Sequence, residues 1–490
     1  MKYRLSLVSA LALAGALFAA TQKSFDKPLS KDQKVEHALN RLTFGARPGD
    51  VEAIKRMGVD KWIQQQLHPE KIAENPELLA RLEQLPTLTM SSREAADRFE
   101  VPLDQLQALQ NASDDAKQKT KQQLKQQGKG PQVVGRELTE AKLLRAIYSE
   151  RQLDELMVDF WFNHFNVNIA KGADRMLVPS YERDAIRPHV WGSFRDLLGA
   201  TAHHPAMLFY LDNWQNATPE PQGRGGNVLR DLIQAKAKAK GKQLSRGINE
   251  NYARELLELH TLGVDNGYTQ QDIIDVAKCF TGWTIRQPRQ GGEFEFNARN
   301  HDSGPKTVLG VKIPAGGGEK DGEKVLDILA KRPETAQFIS FKLAQRFVAD
   351  DPPQKLVDRM AKKFRDTDGD LRAVVETMIT SSEFFSEAAL NAKVKTPLEF
   401  VASAVRATDA EVRNPIPLAQ RLNDMGQPLY RKVEPTGYSS MAAEWMNSAA
   451  LLARVNFALD LSSGRLQAVR LSPDNKVSGE TLGSPEFQRR

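Results

Sequence analysis

The chain has 490 residues, 40% of them hydrophobic and 27% charged, with a formal net charge of +6. Its length fits two or three domains or one large helical one. Cys279 is the only cysteine, which excludes a disulfide scaffold and leaves stability to the hydrophobic core.

The chain opens with the basic "MKYR", the apolar run "LSLVSALALAGALF" and the small residues "AAT". That order is the pattern of a secretory signal peptide, and the run is shorter than the about 20 residues of a membrane span. Residues 1–20 are therefore expected to be a removed export signal, which places the protein in the periplasm or outside the cell. No second long apolar run follows, so no transmembrane span is expected.

Helical periodicity dominates what comes next. Residues 35–70 predict two amphipathic helices with turns at "GARPGD" and "MGVD", and Asp50 is the expected N-cap of the second. Residues 27–135 read as an N-terminal helical subdomain ending in the Lys/Gln-rich insertion "DDAKQKTKQQLKQQGKG". The main helical domain, 136–490, carries a basic linker at 219–247. Both lysine-rich stretches lack large apolar residues and read as solvated linkers; in an exported chain no nucleic-acid partner is expected. "NENYARELLELHTLG" and "TQQDIIDVAKCFTGW" predict two helices, with Gly263 stopping the first and Thr269 and Asp272 capping the second. Cys279 lies among apolar neighbours in the second and reads as a small buried hydrophobe. The strand signals "EFEFNA" and "KTVLGVKI" predict one β-hairpin over 293–313, around "RNHDSGP". The expected fold is mainly α: a large multi-helix domain with a small β-hairpin insertion.

Chemistry has few places to reside. In "DFWFNHFNVNIAKG", His164 continues the apolar stripe of Leu153, Met157 and Phe160. It is either a core histidine satisfied by a carbonyl or by Asn163 or Asn166, or a general base or metal ligand facing a pocket. In "NENYARELLELH", Asn251, Arg254, Glu255 and Glu258 form a polar stripe on a helix otherwise rich in leucine. It lacks the two histidines four apart that a metalloprotease helix needs. His203 and His204 are adjacent, so at most one can join Asp212 and Asn213. His301 and Asp302 sit at the predicted hairpin tip, where ligand contact and plain turn chemistry are equally good readings. Asp366, Asp368 and Asp370 mimic a calcium loop, but Leu371 and Thr377 stand where its glycine and glutamate belong. An acidic helix cap is the better reading. No GxSxG, P-loop, dinucleotide fingerprint or CxxC is present, which removes several common enzyme classes.

The segments "HALNRLTFGARPGD", "FWFNHFNV", "HPAMLFYLDN", "NENYARELLELHTLGVDNGYTQQDI", "FTGW", "HDSGPKTVLG", "FKLAQRFV" and "GDLRAVVETMITSSEFF" give the chain a resemblance to the bacterial family called domain of unknown function 1800. The resemblance implies an exported, mostly helical protein without a settled activity, working with a second exported protein encoded nearby. Its polar motif positions fall here on Asn163, His164, Asp212, Asn213, Asn249, Glu250, Asn251, Arg254, Glu255, Glu258, His301 and Asp302.

Two functions stay open. One is an extracytoplasmic, hydrolase-like enzyme. Its pocket would join His164, Glu255, Glu258, His301 and Asp302 as catalytic groups, with Asn163, Asp212, Asn213, Asn251 and Arg254 binding the ligand and room for a divalent metal. The other is a non-catalytic binding or assembly protein of the envelope, in which the same groups fix helix packing.

Overall fold

The computed structural model describes residues 24–100, 132–218 and 247–490, together with 113, 115 and 130. The expected export signal, the Lys/Gln-rich insertion apart from residues 115 and 130, and the basic linker up to 246 lie outside the described residues.

Local signals set most helix ends. Ser30 and Gln33 form a capping box at the start of α1 (Lys31–Leu42). The "GARPGD" turn follows, but Asp50 is not its cap. Gly49, at φ 89°, takes that place, and Asp50 begins α2 (Asp50–Met57) with its carboxylate accepting from the Arg47 amide at 2.8 Å. Gly58, at φ 92°, ends α2 and starts α3 (Val59–Gln66), so residues 35–70 hold a third helix beyond the two expected. Then come α4 (Pro76–Glu83), α5 (Ser92–Phe99), α6 (Gln132–Tyr148) and α7 (Gln152–His164). α7 is buried on nearly every side. α8 (Asp174–Ser180) contains Pro179 and widens at once into a π turn, Tyr181–Ile186. α9 (Phe194–His203) and α10 (Pro205–Tyr210) follow. α11 (Asn251–Glu255) runs into a second π turn, Leu256–Thr261, and Gly263 at φ 97° stops it. α12 (Gln270–Cys279) starts with the expected Thr269–Asp272 capping box.

The strand signals of 293–313 are present, but they do not pair with one another. β1 (Trp283–Ile285) pairs with β2 (Phe294–Phe296), and β3 (Lys306–Val308) folds back on β4 (Val311–Ile313), both antiparallel. The reason is local: Leu309 at φ 49° and Gly310 at φ 80° make a two-residue reversal inside "TVLGVK". That reversal has the left-handed geometry tight hairpins favour. A third pair joins β5 (Glu411–Val412) to β6 (Val469–Arg470).

The rest is helical: α13 (Lys320–Ala330), α14 (Pro333–Phe347), α15 (Gln354–Asp366), α16 (Leu371–Ile379), α17 (Pro397–Ala407), α18 (Ile416–Asp424), α19 (Ala442–Trp445), α20 (Ser448–Ser462) and α21 (Gly479–Gly483). Asp370 caps α16 by accepting from the Ala373 amide at 3.0 Å, the role expected of it. The architecture is mainly α with small hairpins. One apolar core runs from Leu29 to Leu482, and α1 and α3 share it with α7 and α14. Smaller clusters seat α5 against α6 and α8, and α4 against α6. Among the described residues no helix is long and apolar enough to cross a membrane.

Candidate functional site

His164 ends α7 and is only 4% exposed. Its ring stands edge-on to Trp161 (5.4 Å between centroids) and to Phe165 (4.6 Å). Nε2 lies 3.0 Å from the carbonyl oxygen of His260, near the end of the second π turn. A carbonyl can only accept, so Nε2 carries the hydrogen and donates it. One of the orphan carbonyls that every helix end leaves is thereby satisfied. Burial, and then the nearby Lys342 ammonium and His260, hold His164 well below the usual imidazole range. The ring is thus neutral, and Nδ1 is a bare acceptor; it has no hydrogen-bond partner among the described residues.

That ring lines a cleft of about 450 Å³, a volume suited to a small molecule. α7 contributes Asp159, Phe160 and Asn163 beside His164, and α14 contributes Lys342, Gln345 and Arg346. The rim comes from the segment over 425–447, with Lys432 and Tyr438 from its loop and Glu444 and Trp445 from α19. The asparagines of "FNHFNV" hold this loop in place. Asn163 Oδ1 accepts from the Tyr438 amide at 3.0 Å, and Asn166 Nδ2 donates to the carbonyls of Lys432 (3.1 Å) and Glu434 (2.9 Å). Tyr210 adds a hydroxyl bond to the Val433 carbonyl at 2.6 Å.

Most charges of the cleft are already paired. Arg346 contacts Glu399 at 2.5 Å and Asp159 at 3.6 Å, and Asp159 also meets Lys142 at 3.1 Å. Lys432 pairs with Glu434 at 3.0 Å. Lys342 differs. It is half-buried, burial lowers its pKa, and the Phe338 ring lies 5.9 Å from its ammonium. No carboxylate among the described residues forms an ion pair with it. An ammonium without a counter-ion therefore stands in the cleft that His164 borders, while the bare Nδ1 of that ring is buried.

The other expected site residues lie elsewhere. The cleft lining includes none of Glu255, Glu258, His301, Asp302, Asp212, Asn213, Asn251 or Arg254. His301 is buried; Nδ1 faces the Thr281 carbonyl at 2.8 Å and Nε2 faces Asp321 Oδ2 at 3.2 Å. The buried Lys306 ammonium meets the same Asp321 oxygen at 2.7 Å and also donates to the Asp302 carbonyl. Asp302 caps its own turn through the Gly304 amide at 2.9 Å. These residues make a sealed ion network that fastens the β3–β4 hairpin to α13.

The polar stripe of α11 is a surface stripe. Arg254 meets Glu258 at 3.3 Å and Glu250 at 3.4 Å, while burial and then Glu258 raise Glu255. Asp212, at φ 60°, pairs with Lys171 at 2.9 Å. Asn213 Nδ2 donates to the carbonyls of Phe280 (3.3 Å) and Trp283 (3.1 Å). Asn249 and Asn251 hold the carbonyls of Asp212 and Leu211, both at 3.1 Å. Neither adjacent histidine joins Asp212 and Asn213. His203 contacts Glu323 at 2.8 Å, and His204 caps α10 through the Ala206 amide at 3.1 Å. Burial raises the Cys279 thiol to about 12, as befits a buried hydrophobe.

Among the described residues no three His, Cys, Asp or Glu side chains converge as a metal would require. The family described as "Protein of unknown function (DUF1800)" matches residues 37–488. The chain belongs to it. No curated protein and no solved structure matches the chain. Lys342, Arg346 and the 425–447 loop are site elements that the sequence reading did not single out. The one signal for them is a pair of cations, four apart, inside the mostly apolar "FISFKLAQRF".

Proposed function

We propose that this DUF1800 protein is an exported binding protein whose His164 cleft takes a small ligand bearing one anionic group and neighbouring hydroxyls. The observation that carries this reading is the Lys342 ammonium, without an ion-pair partner among the described residues, in the cleft that His164 borders. An anion supplies the missing counter-charge, and the Asn163, Gln345 and Ser439 side chains bordering the same cleft suit ligand hydroxyls. Phe160, Tyr438 and Trp445 give apolar faces to the same space.

A hydrolase would need a proton acceptor with a pKa near the working pH. His164, held well below the imidazole range, is a weak base, and Glu255, Glu258, His301 and Asp302 are not at hand. Binding is thus the better-supported role. Export through residues 1–20, and work alongside a second exported protein, are parts of the same proposal.

The test is calorimetric titration of the mature chain with glucuronate and, for comparison, glucose. Glucuronate is expected to bind at least tenfold more tightly, and Lys342→Met is expected to abolish that preference while leaving unfolding unchanged. Equal affinity for both sugars, or an unaltered preference in Lys342→Met, would refute the reading. Finding residues 1–20 still attached to protein purified from the periplasm would refute removal of the signal.

A further inference from the structure

A second cavity, of about 350 Å³, lies far along the chain from α7. Asn40, Gly45, Lys395, Ser403, Ala407 and Phe487 are among its lining. Lys395 precedes α17 and is only 4% exposed. Its backbone is held from two sides: its amide donates to the Gln488 carbonyl at 2.9 Å, and Arg454 donates to its carbonyl at 2.7 Å. The side chain is held far less. Nζ lies 3.9 Å from the centre of the Phe487 ring and makes no hydrogen bond or ion pair among the described residues.

The charged groups around Lys395 do not compensate it. Glu399, one turn along α17, is occupied by Arg346 (2.5 Å), Arg490 (2.9 Å) and the Thr396 amide (2.9 Å). Arg454 and Arg490 are cations, and Glu486 and Arg489 line the same cavity. Burial, with Arg490 and Arg454 working in the same direction and Glu399 against them, lowers the amine to about 7. A lysine without a counter-ion in a cavity is the arrangement that turns an ammonium into a nucleophile.

We propose that Lys395 is a reactive amine that condenses with the carbonyl carbon of a small, largely apolar aldehyde entering this cavity. The neutral amine donates its lone pair to that carbon, forming a C–N bond while the carbonyl π electrons move to oxygen. The nitrogen then passes its two hydrogens to that oxygen, which departs as water and leaves an imine. No oxidant or reductant takes part. This site is separate from the His164 cleft and does not depend on its reading.

The test uses the full mature chain, butanal, and cyanoborohydride to trap the imine as a butyl amine, with each lysine followed by peptide mass spectrometry. At pH 7 a surface lysine is neutral in only about 1 molecule in 2,500. Lys395 is expected to label at least tenfold faster than Lys27, whose side chain is 69% exposed. Its rate should level off above about pH 8, while that of Lys27 keeps rising. Lys395→Met should remove the fast phase. Labelling of Lys395 no faster than Lys27, or a rate rising without a plateau to pH 10, would overturn the proposal, and both outcomes are read on the unmutated chain.

Discussion

Asp321→Asn changes one buried atom and tests whether the His301 cluster is a structural lock. Asp321 Oδ2 is 2.7 Å from Lys306 Nζ and 3.2 Å from His301 Nε2, and all three side chains are buried. The amide keeps the volume but removes the charge that balances Lys306. Stranding a buried charge in this way costs about 3–5 kcal/mol. Lys306 would retain the Asp302 carbonyl and the Asp302 carboxylate at 3.7 Å, so the lower end, about 3 kcal/mol, is expected. The double substitution Lys306→Met with Asp321→Leu removes both charges together and should recover all but about 1 kcal/mol. Equilibrium unfolding in urea measures both, and glucuronate affinity at the His164 cleft should stay constant. A loss below about 1 kcal/mol in Asp321→Asn, or a double variant as unstable as the two singles combined, would refute the reasoning.

Acid should weaken the fold early. Burial holds His37 and His164 well below the imidazole range and pushes His204 and His260 to about 3. The unfolded chain then binds more protons than the native one once pH falls below about 6.5, so stability present above that value is lost on acidification. Asp154, raised to about 6 by burial, and Asp174, which burial holds well above the usual carboxylate range, oppose this. Two protons of net imbalance correspond to about 3 kcal/mol per pH unit, so a urea midpoint that is flat from pH 6.5 to 5 would contradict the assignment. Gly437 stands at φ 69°, and a Cβ there would lie 2.1 Å from the Asn163 carbonyl oxygen. Gly437→Ala should lift the 425–447 loop and cost about 2 kcal/mol or more, with loss of ligand binding in the same titration. Arg254→Ala breaks surface contacts to Glu258, Glu250 and Gln270 at 3.3, 3.4 and 3.1 Å and should change stability by less than about 0.5 kcal/mol.

What could be read from the sequence was what neighbours decide. The Thr269–Asp272 capping box and the Asp370 cap are fixed by residues three apart, and both were legible. The pairing of "EFEF" was not, because its partner, Trp283–Ile285, is a three-residue strand hidden in an aromatic run. His164 was legible as a residue between two roles: Nε2 satisfies a carbonyl, as in a core histidine, and the residue also borders the cleft. Its partners in that cleft come from positions 342 and 425–447, and no local spacing announces such a meeting. Polar motif residues such as Asn213, Asn249 and Asn251 have a common explanation in carbonyls left over by irregular backbone, which sequence alone does not distinguish from a pocket.

The wide turn at 256–261 has a consequence for chain length. Such a turn accommodates one residue more than an ordinary helical one, so it marks a spot where the backbone can absorb a deletion. Shortening it by one residue would let the helix close with its flanks in nearly the same phase, but the carbonyls inside the turn would be re-aimed. The His260 oxygen would turn away from the imidazole it anchors, leaving Nε2 of that buried ring without its acceptor. The chain's most forgiving point for a missing residue is thus also where the loss would silence the cleft.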